Sequence, residues 1–221
     1  ISHEGGNLED TRNEYKDDIH VMSLPVELAP DKPVFVDIAF EEGVPTALDG
    51  KRLPPAELLR ALNVLGGENG VGTIDIVENR LVGMKSRGVY ETPGGTVLYK
   101  AHAALEKLIL DRETMYYKNS VAMKYAMIVY DGQWFTPLRE ALDAFVNAAS
   151  KEVTGIVRVK LYKGNVLPVA SESDYSLFSE EFATFGEDEV YNQQDAEGFI
   201  NLFSLPMKIR AIRDEKLRRG E

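Results

Sequence analysis

The segment Gly70–Thr96, GVGTIDIVENRLVGMKSRGVYETPGGT, constrains the fold most, because six glycines and one proline interrupt it. Such a run cannot continue as a helix, and glycine lets the backbone turn sharply or approach another group closely. It must therefore fold as short extended pieces joined by tight turns. Ile74 and Ile76, with Glu78, fall on one face of the first piece, and Asp75 and Val77 on the other. Polar groups then crowd where a fold alone would favour apolar ones: Glu78, Asn79 and Arg80, then Lys85, Arg87, Tyr90 and Glu91. That density points to a small-molecule site. A carboxylate near a phenol suits a zwitterionic amino acid, since the carboxylate pairs with an ammonium and the phenol gives a directional hydrogen bond.

Elsewhere, residues 11–33 carry Pro25, Pro30 and Pro33 with no sustained period and read as a connecting loop. Val34, Val36, Ile38 and Phe40 alternate as a strand, and a second strand after Gly43 pairs back. Pro54-Pro55 opens a helix with Leu58, Leu59, Leu62 and Leu65, which Gly66-Gly67 ends. A longer helix runs from Gly94, with Thr92–Thr96 as its cap rather than a phosphate loop. Two more are expected over 119–130 and 137–150, then a hairpin from Val153 to Ala170 turning at Lys-Gly-Asn. Tyr130, Trp134 and Phe135 are read as core or interface packing. From about Ser204 a basic helix carries a narrow stripe of Leu205, Ile209 and Ile212. The expected fold is α+β, a mixed or antiparallel sheet with packed helices and a protruding C-terminal helix. The expected division is 1–203 and 204–221.

Composition removes several function classes. The absence of cysteine excludes disulfides, thiolate metal sites and cysteine nucleophiles. The net charge of −11 opposes nonspecific binding to nucleic acid or anionic membranes. No run approaches the ~20 apolar residues of a membrane span, so a soluble, cytoplasmic protein without membrane or nucleic-acid partners is expected. His3, His20 and His102 are too scattered for a zinc site. The basic last helix, set against an acidic body, favours a second copy of the chain as partner. The chain opens at Ile1 and reads as a piece of something longer. Its start, ISHEGGNLED, places Ser2 and two glycines where a ligand-facing loop is expected.

ISHEGGNLED, the Gly70–Thr96 segment, LYKGNV and DAEGFINL together resemble argininosuccinate synthase, in order and spacing. The resemblance spans the chain but only the later part of that enzyme: the synthetase domain and the oligomerisation helix. The Ser-Gly-Gly-x-Asp-Thr-Ser loop of the family's nucleotide-binding domain is not in the sequence. The resemblance implies ligation of citrulline to aspartate with ATP cleaved to AMP and pyrophosphate, the nucleotide and its magnesium being bound mainly by the N-terminal domain. It implies a homotetramer, and citrulline contacts at Ser2, Glu78 and Tyr90, with Glu78 taking the ammonium end. It leaves the catalytic residues unassigned and the roles of Lys85 and Arg87 open. Thr73 stands where arginine is common in the family, and His3 where tyrosine is. The competing expectation is a non-catalytic binding or assembly module that kept the fold.

Overall fold

A computed structural model describes residues 1–183 and 192–220. Residues 184–191 of the expected first region and Glu221 of the second lie outside the described residues. The chain divides into two compact units, Ile1–Leu177 and Phe178–Glu221.

The first unit is α+β with two sheets, and every strand pairing described is antiparallel. The larger sheet has five strands in the order β4-β3-β2-β7-β8: β2 (Val34–Glu41), β3 (Val44–Leu48), β4 (Lys51–Arg52), β7 (Gly155–Tyr162) and β8 (Asn165–Glu172). Alternation decides which face is covered. Val36, Ile38 and Phe40 of β2 and Val157, Val159 and Leu161 of β7 are all nearly or fully buried, while Asp37 and Arg158 pair on the opposite face at 2.7 Å. Helices α1 (Pro55–Glu68) and α2 (Pro93–Ile109) bring Leu58, Leu62, Val97, Ala101 and Leu105 into the same core. The β7–β8 hairpin turns on Lys163 and Gly164 with φ of 45° and 77°, both left-handed as a tight two-residue turn requires.

The smaller sheet has three strands in the order β1-β6-β5: β1 (Ser2–Glu4), β5 (Thr73–Asn79) and β6 (Lys85–Glu91). β1 is therefore a strand rather than the loop expected around Ser2. The 11–33 loop contains two short 3-10 turns, Asp17–Ile19 and Val26–Leu28.

Two helices differ from the expectation. α1 does not stop at Gly66-Gly67 but includes both and ends at Glu68. The glycines answer to packing: a Cβ on Gly66 would sit 3.1 Å from Pro93, and one on Gly67 2.0 Å from the Met22 carbonyl oxygen. α3 (Arg112–Tyr130) begins well before 119, because Asp111 caps it by accepting from the Glu113 and Thr114 amides at 3.0 Å each. α4 (Pro137–Ala149) follows as expected. Between these helices Phe135 is 93% exposed and Trp134 is also exposed, so neither is in the core.

The second unit holds α5 (Asp195–Phe203), which has Phe199 and Phe203 stacked at 5.2 Å, and α6 (Leu205–Arg219). Gly220 ends α6 in the left-handed conformation, φ 74°, where glycine carries no Cβ penalty. Among the described residues, no helix is long and apolar enough to cross a membrane.

Candidate functional site

The three-stranded sheet sorts the polar crowd of 70–96 onto its two faces. Its register sets Ser2 opposite Tyr90, Glu4 opposite Gly88, Tyr90 opposite Ile74, Gly88 opposite Ile76 and Ser86 opposite Glu78. Side chains directly opposed across a ladder share a face. Ser2, Glu4, Ile74, Ile76, Glu78, Ser86 and Tyr90 consequently lie on one face, and the three sequence-predicted residues Ser2, Glu78 and Tyr90 are brought together there.

An open groove of about 870 Å³ lies along this face. Glu4, Glu78, Arg80 and Tyr90 supply its polar lining, with apolar wall from Ile74, Ile76 and the hairpin tip Leu81-Val82. Tyr130, at the end of α3, also reaches it. Ser2 lies beside Tyr90 but lines a neighbouring cavity rather than the groove itself.

The Tyr90 ring folds back over Gly88, where a Cβ would come within 3.0 Å of Cε2 and 3.1 Å of the hydroxyl. Burial first, and then the negative charges of Glu78 and Glu4, raise the Tyr90 pKa. The phenol therefore stays protonated beside the Glu78 and Glu4 carboxylates. Arg80 donates to Glu4 at 2.9 Å and to the Ser86 hydroxyl at 3.0 Å, so one end of the groove carries a neutralised pair. The Glu78 carboxylate, directly opposite Ser86, takes part in none of the ion pairs among the described residues. A carboxylate with no paired cation, a protonated phenol and an apolar wall together have the chemistry to accept an ammonium-bearing ligand with an apolar stem.

The opposite face is structural. Arg87 grips Asp75 through two hydrogen bonds of 3.0 and 2.7 Å and reaches the carbonyls of Asp10 and Asn13 at 3.2 and 2.8 Å. Lys85 donates to Asn79 Oδ1 at 2.7 Å. Arg87 thus anchors the loop that follows β1, and its charge is spent inside the chain.

Glu91, one of the polar groups read from sequence as part of a ligand site, is fully buried. Its carboxylate accepts from the amides of Val21, Met22 and Ser23 at 3.0, 3.1 and 2.8 Å, and from His3 Nε2 at 3.1 Å. Burial alone would raise its pKa, but these four donors outweigh that and hold it at about 2. Thr92 borders the groove but makes no side-chain cap to α2, and the Gly94 amide is already bound by Asn63 Oδ1 at 2.9 Å. The amide at the helix start is therefore met by α1, and the side-chain cap expected of Thr92 is not formed.

Sequence reasoning counted Arg80 in the polar crowd of the site but did not place Glu4 or Tyr130 on the groove. Glu4 had a signal, since it lies two positions after Ser2 and so on the same strand face. Tyr130 had none, because only the packing of a distant helix brings it near. Among the described residues no group of three or more His, Asp or Glu side chains is placed to hold a metal ion.

The chain matches the family described as the arginosuccinate synthase C-terminal domain over residues 1–210. It is 60% identical over 216 residues to an argininosuccinate synthase of Desulfitobacterium hafniense, covering 98% of this chain and 54% of that protein. The argininosuccinate synthase of Alkaliphilus metalliredigens is 60% identical over 221 residues, with 100% of this chain and 53% of that protein aligned. That of Acetivibrio thermocellus is 61% identical over 217 residues, 98% of this chain and 54% of that protein. The chain spans about half the length of these curated relatives.

Proposed function

The chain belongs to the argininosuccinate synthase family through that C-terminal domain, and from this premise we propose that it supplies the citrulline-binding and oligomerisation part of an ATP-dependent ligase. The observation that carries the reading is that Ser2, Glu78 and Tyr90 share one face of a three-stranded sheet, with Glu78 and Tyr90 lining one groove. Glu78 takes the α-ammonium of citrulline, the Tyr90 and Ser2 hydroxyls hold the rest of the amino-acid end, and the apolar wall receives the side-chain methylenes. The ureido group is left pointing out of the groove towards the part of the enzyme that holds ATP and aspartate.

In the complete enzyme the ureido oxygen attacks the α-phosphate of ATP and pyrophosphate leaves. The aspartate amine then attacks the activated carbon, giving argininosuccinate and AMP. This chain contributes orientation and charge matching, which lower the barrier by fixing the geometry of the reacting groups. ATP with its magnesium is bound mainly outside the chain. The enzyme works as a cytoplasmic homotetramer, and the basic helix α6 with its Leu205, Ile209 and Ile212 stripe is suited to join copies whose bodies are acidic.

Kinetics of the complete enzyme test the reading. Glu78→Gln removes the charge but keeps the shape, and is expected to raise the citrulline KM about tenfold or more, as for loss of a charged hydrogen bond. The ATP KM should change less than about twofold. An unchanged citrulline KM would contradict the assignment. Gly88→Ala acts through Tyr90: the new methyl pushes the ring off its seat, and the citrulline KM should rise about fivefold. A phenol that stays in place, with unaltered kinetics, would show that the contact is looser than the structure places it.

A further inference from the structure

Glu91 is a buried carboxylate to which the proposed reaction gives no role, and it is attached to almost everything that fixes the groove. It directly follows Tyr90 in β6 and turns to the opposite face. Its main chain pairs with Ile1 in both directions, Ile1 N to Glu91 O at 2.9 Å and Glu91 N to Ile1 O at 3.0 Å. Its side chain takes His3 Nε2 at 3.1 Å. Ser2 is thereby flanked on both sides by residues held to Glu91, and Ser2 is the residue opposite Tyr90. The same carboxylate holds the amides of Val21, Met22 and Ser23, and the Ser23 hydroxyl donates to the Val71 carbonyl at 3.2 Å, close to the start of β5.

β1 has only three residues and lies at the edge of its sheet. So short an edge strand is held weakly by its own ladder and opens at low local cost. Beyond the ladder, β1 is tied by Arg80 to Glu4 on the groove face and by Glu91 to His3 on the far face.

We propose that Glu91 is a positioning residue of the citrulline site, locking β1 and the 21–23 segment onto β6 so that Ser2, Tyr90 and Glu78 keep their relative places. The inference rests on the reading that these three residues bind citrulline. Glu91 itself touches no substrate. Loss of the lock should loosen substrate binding while leaving the chemistry of bound substrate nearly intact, a split that general destabilisation does not produce.

The test measures steady-state kinetics of the complete enzyme for His3→Phe, His3→Gln and Glu91→Gln, with Glu78→Gln as reference. His3→Phe keeps a ring but removes the donor, and should raise the citrulline KM about fivefold with kcat and ATP KM within about twofold. His3→Gln returns an N–H near the same place and should recover most of the loss. Glu91→Gln turns an amide NH₂ towards backbone donors and should raise the citrulline KM about tenfold or more. Should Glu91→Gln fail to fold, the two His3 variants decide. A His3→Phe enzyme with wild-type citrulline KM, or one whose kcat and both KM values worsen together, overturns the proposal. If Glu78→Gln raises the citrulline KM and His3→Phe does not, the positioning role alone falls. If Glu78→Gln also leaves it unchanged, the citrulline assignment falls and the inference with it.

Discussion

Glu91→Ala is expected to lower the free energy of unfolding by about 3–5 kcal/mol, the range for removing one member of a buried charged network. The substitution strands the amide donors of Val21, Met22 and Ser23 and the His3 imidazole, all of which lose their acceptor together. Urea unfolding monitored by circular dichroism gives the value, and a loss below about 1 kcal/mol would show that water replaces the carboxylate without cost. The pH dependence follows from the same contacts. The folded-state pKa of about 2 lies below the ordinary 4.5, so the folded state favours the ionised form. Its stabilisation is complete above the unfolded value and is lost as pH falls from about 4.5 towards 2, in total on the order of 3 kcal/mol. The stability gap between the wild-type protein and Glu91→Gln should accordingly shrink between pH 6 and pH 3. A gap that stays constant across that interval would mean that the charge on Glu91 is not what the donors stabilise.

Gly67→Ala should be nearly as damaging, against the usual rule. Alanine in place of glycine inside a helix ordinarily stabilises by up to about 1 kcal/mol. At Gly67 the new Cβ would stand 2.0 Å from the Met22 carbonyl oxygen and 3.1 Å from its carbon, backbone atoms that cannot swing aside. The Gly67 carbonyl also accepts from the Leu24 amide at 2.9 Å, so α1 and the 22–24 segment would have to separate. That segment carries the amides that Glu91 binds. A destabilisation of about 3 kcal/mol is expected, at the upper end for overpacking. Gly95→Ala is the control: the nearest atom to its Cβ is Thr92 Cβ at 3.9 Å, and the change should be neutral or stabilising. Equal effects at the two glycines would refute the steric account.

These two positions also mark how far the sequence could be read. The alternation of Val34, Val36, Ile38 and Phe40 has one physical solution, a half-buried strand, and β2 is that strand. The Lys163-Gly164 turn was legible because few dipeptides accept two left-handed residues in succession. Ser2, Glu78 and Tyr90 were named through a family resemblance, and the register of β1, β6 and β5 supplies what sequence spacing alone could not: a common face. Glu91 was misread because a carboxylate looks the same in sequence whether it meets a ligand or three backbone amides from 68 to 70 residues away. Gly66-Gly67 looked like a helix stop because flexibility is the common use of glycine, whereas here close approach to Pro93 and Met22 is the use. In each case the deciding neighbour is distant in the chain, where local pattern carries no information.

The central claim is that this chain holds the amino-acid end of citrulline. A crystal structure of the complete enzyme with citrulline, solved beside its Glu78→Gln variant, tests it most directly. The account predicts the citrulline ammonium within hydrogen-bonding distance of Glu78, with the Tyr90 hydroxyl on the same ligand end and the groove emptied in the variant at equal citrulline concentration. Citrulline bound away from the Ser2, Glu78 and Tyr90 face, or bound there equally well without the Glu78 charge, would contradict it.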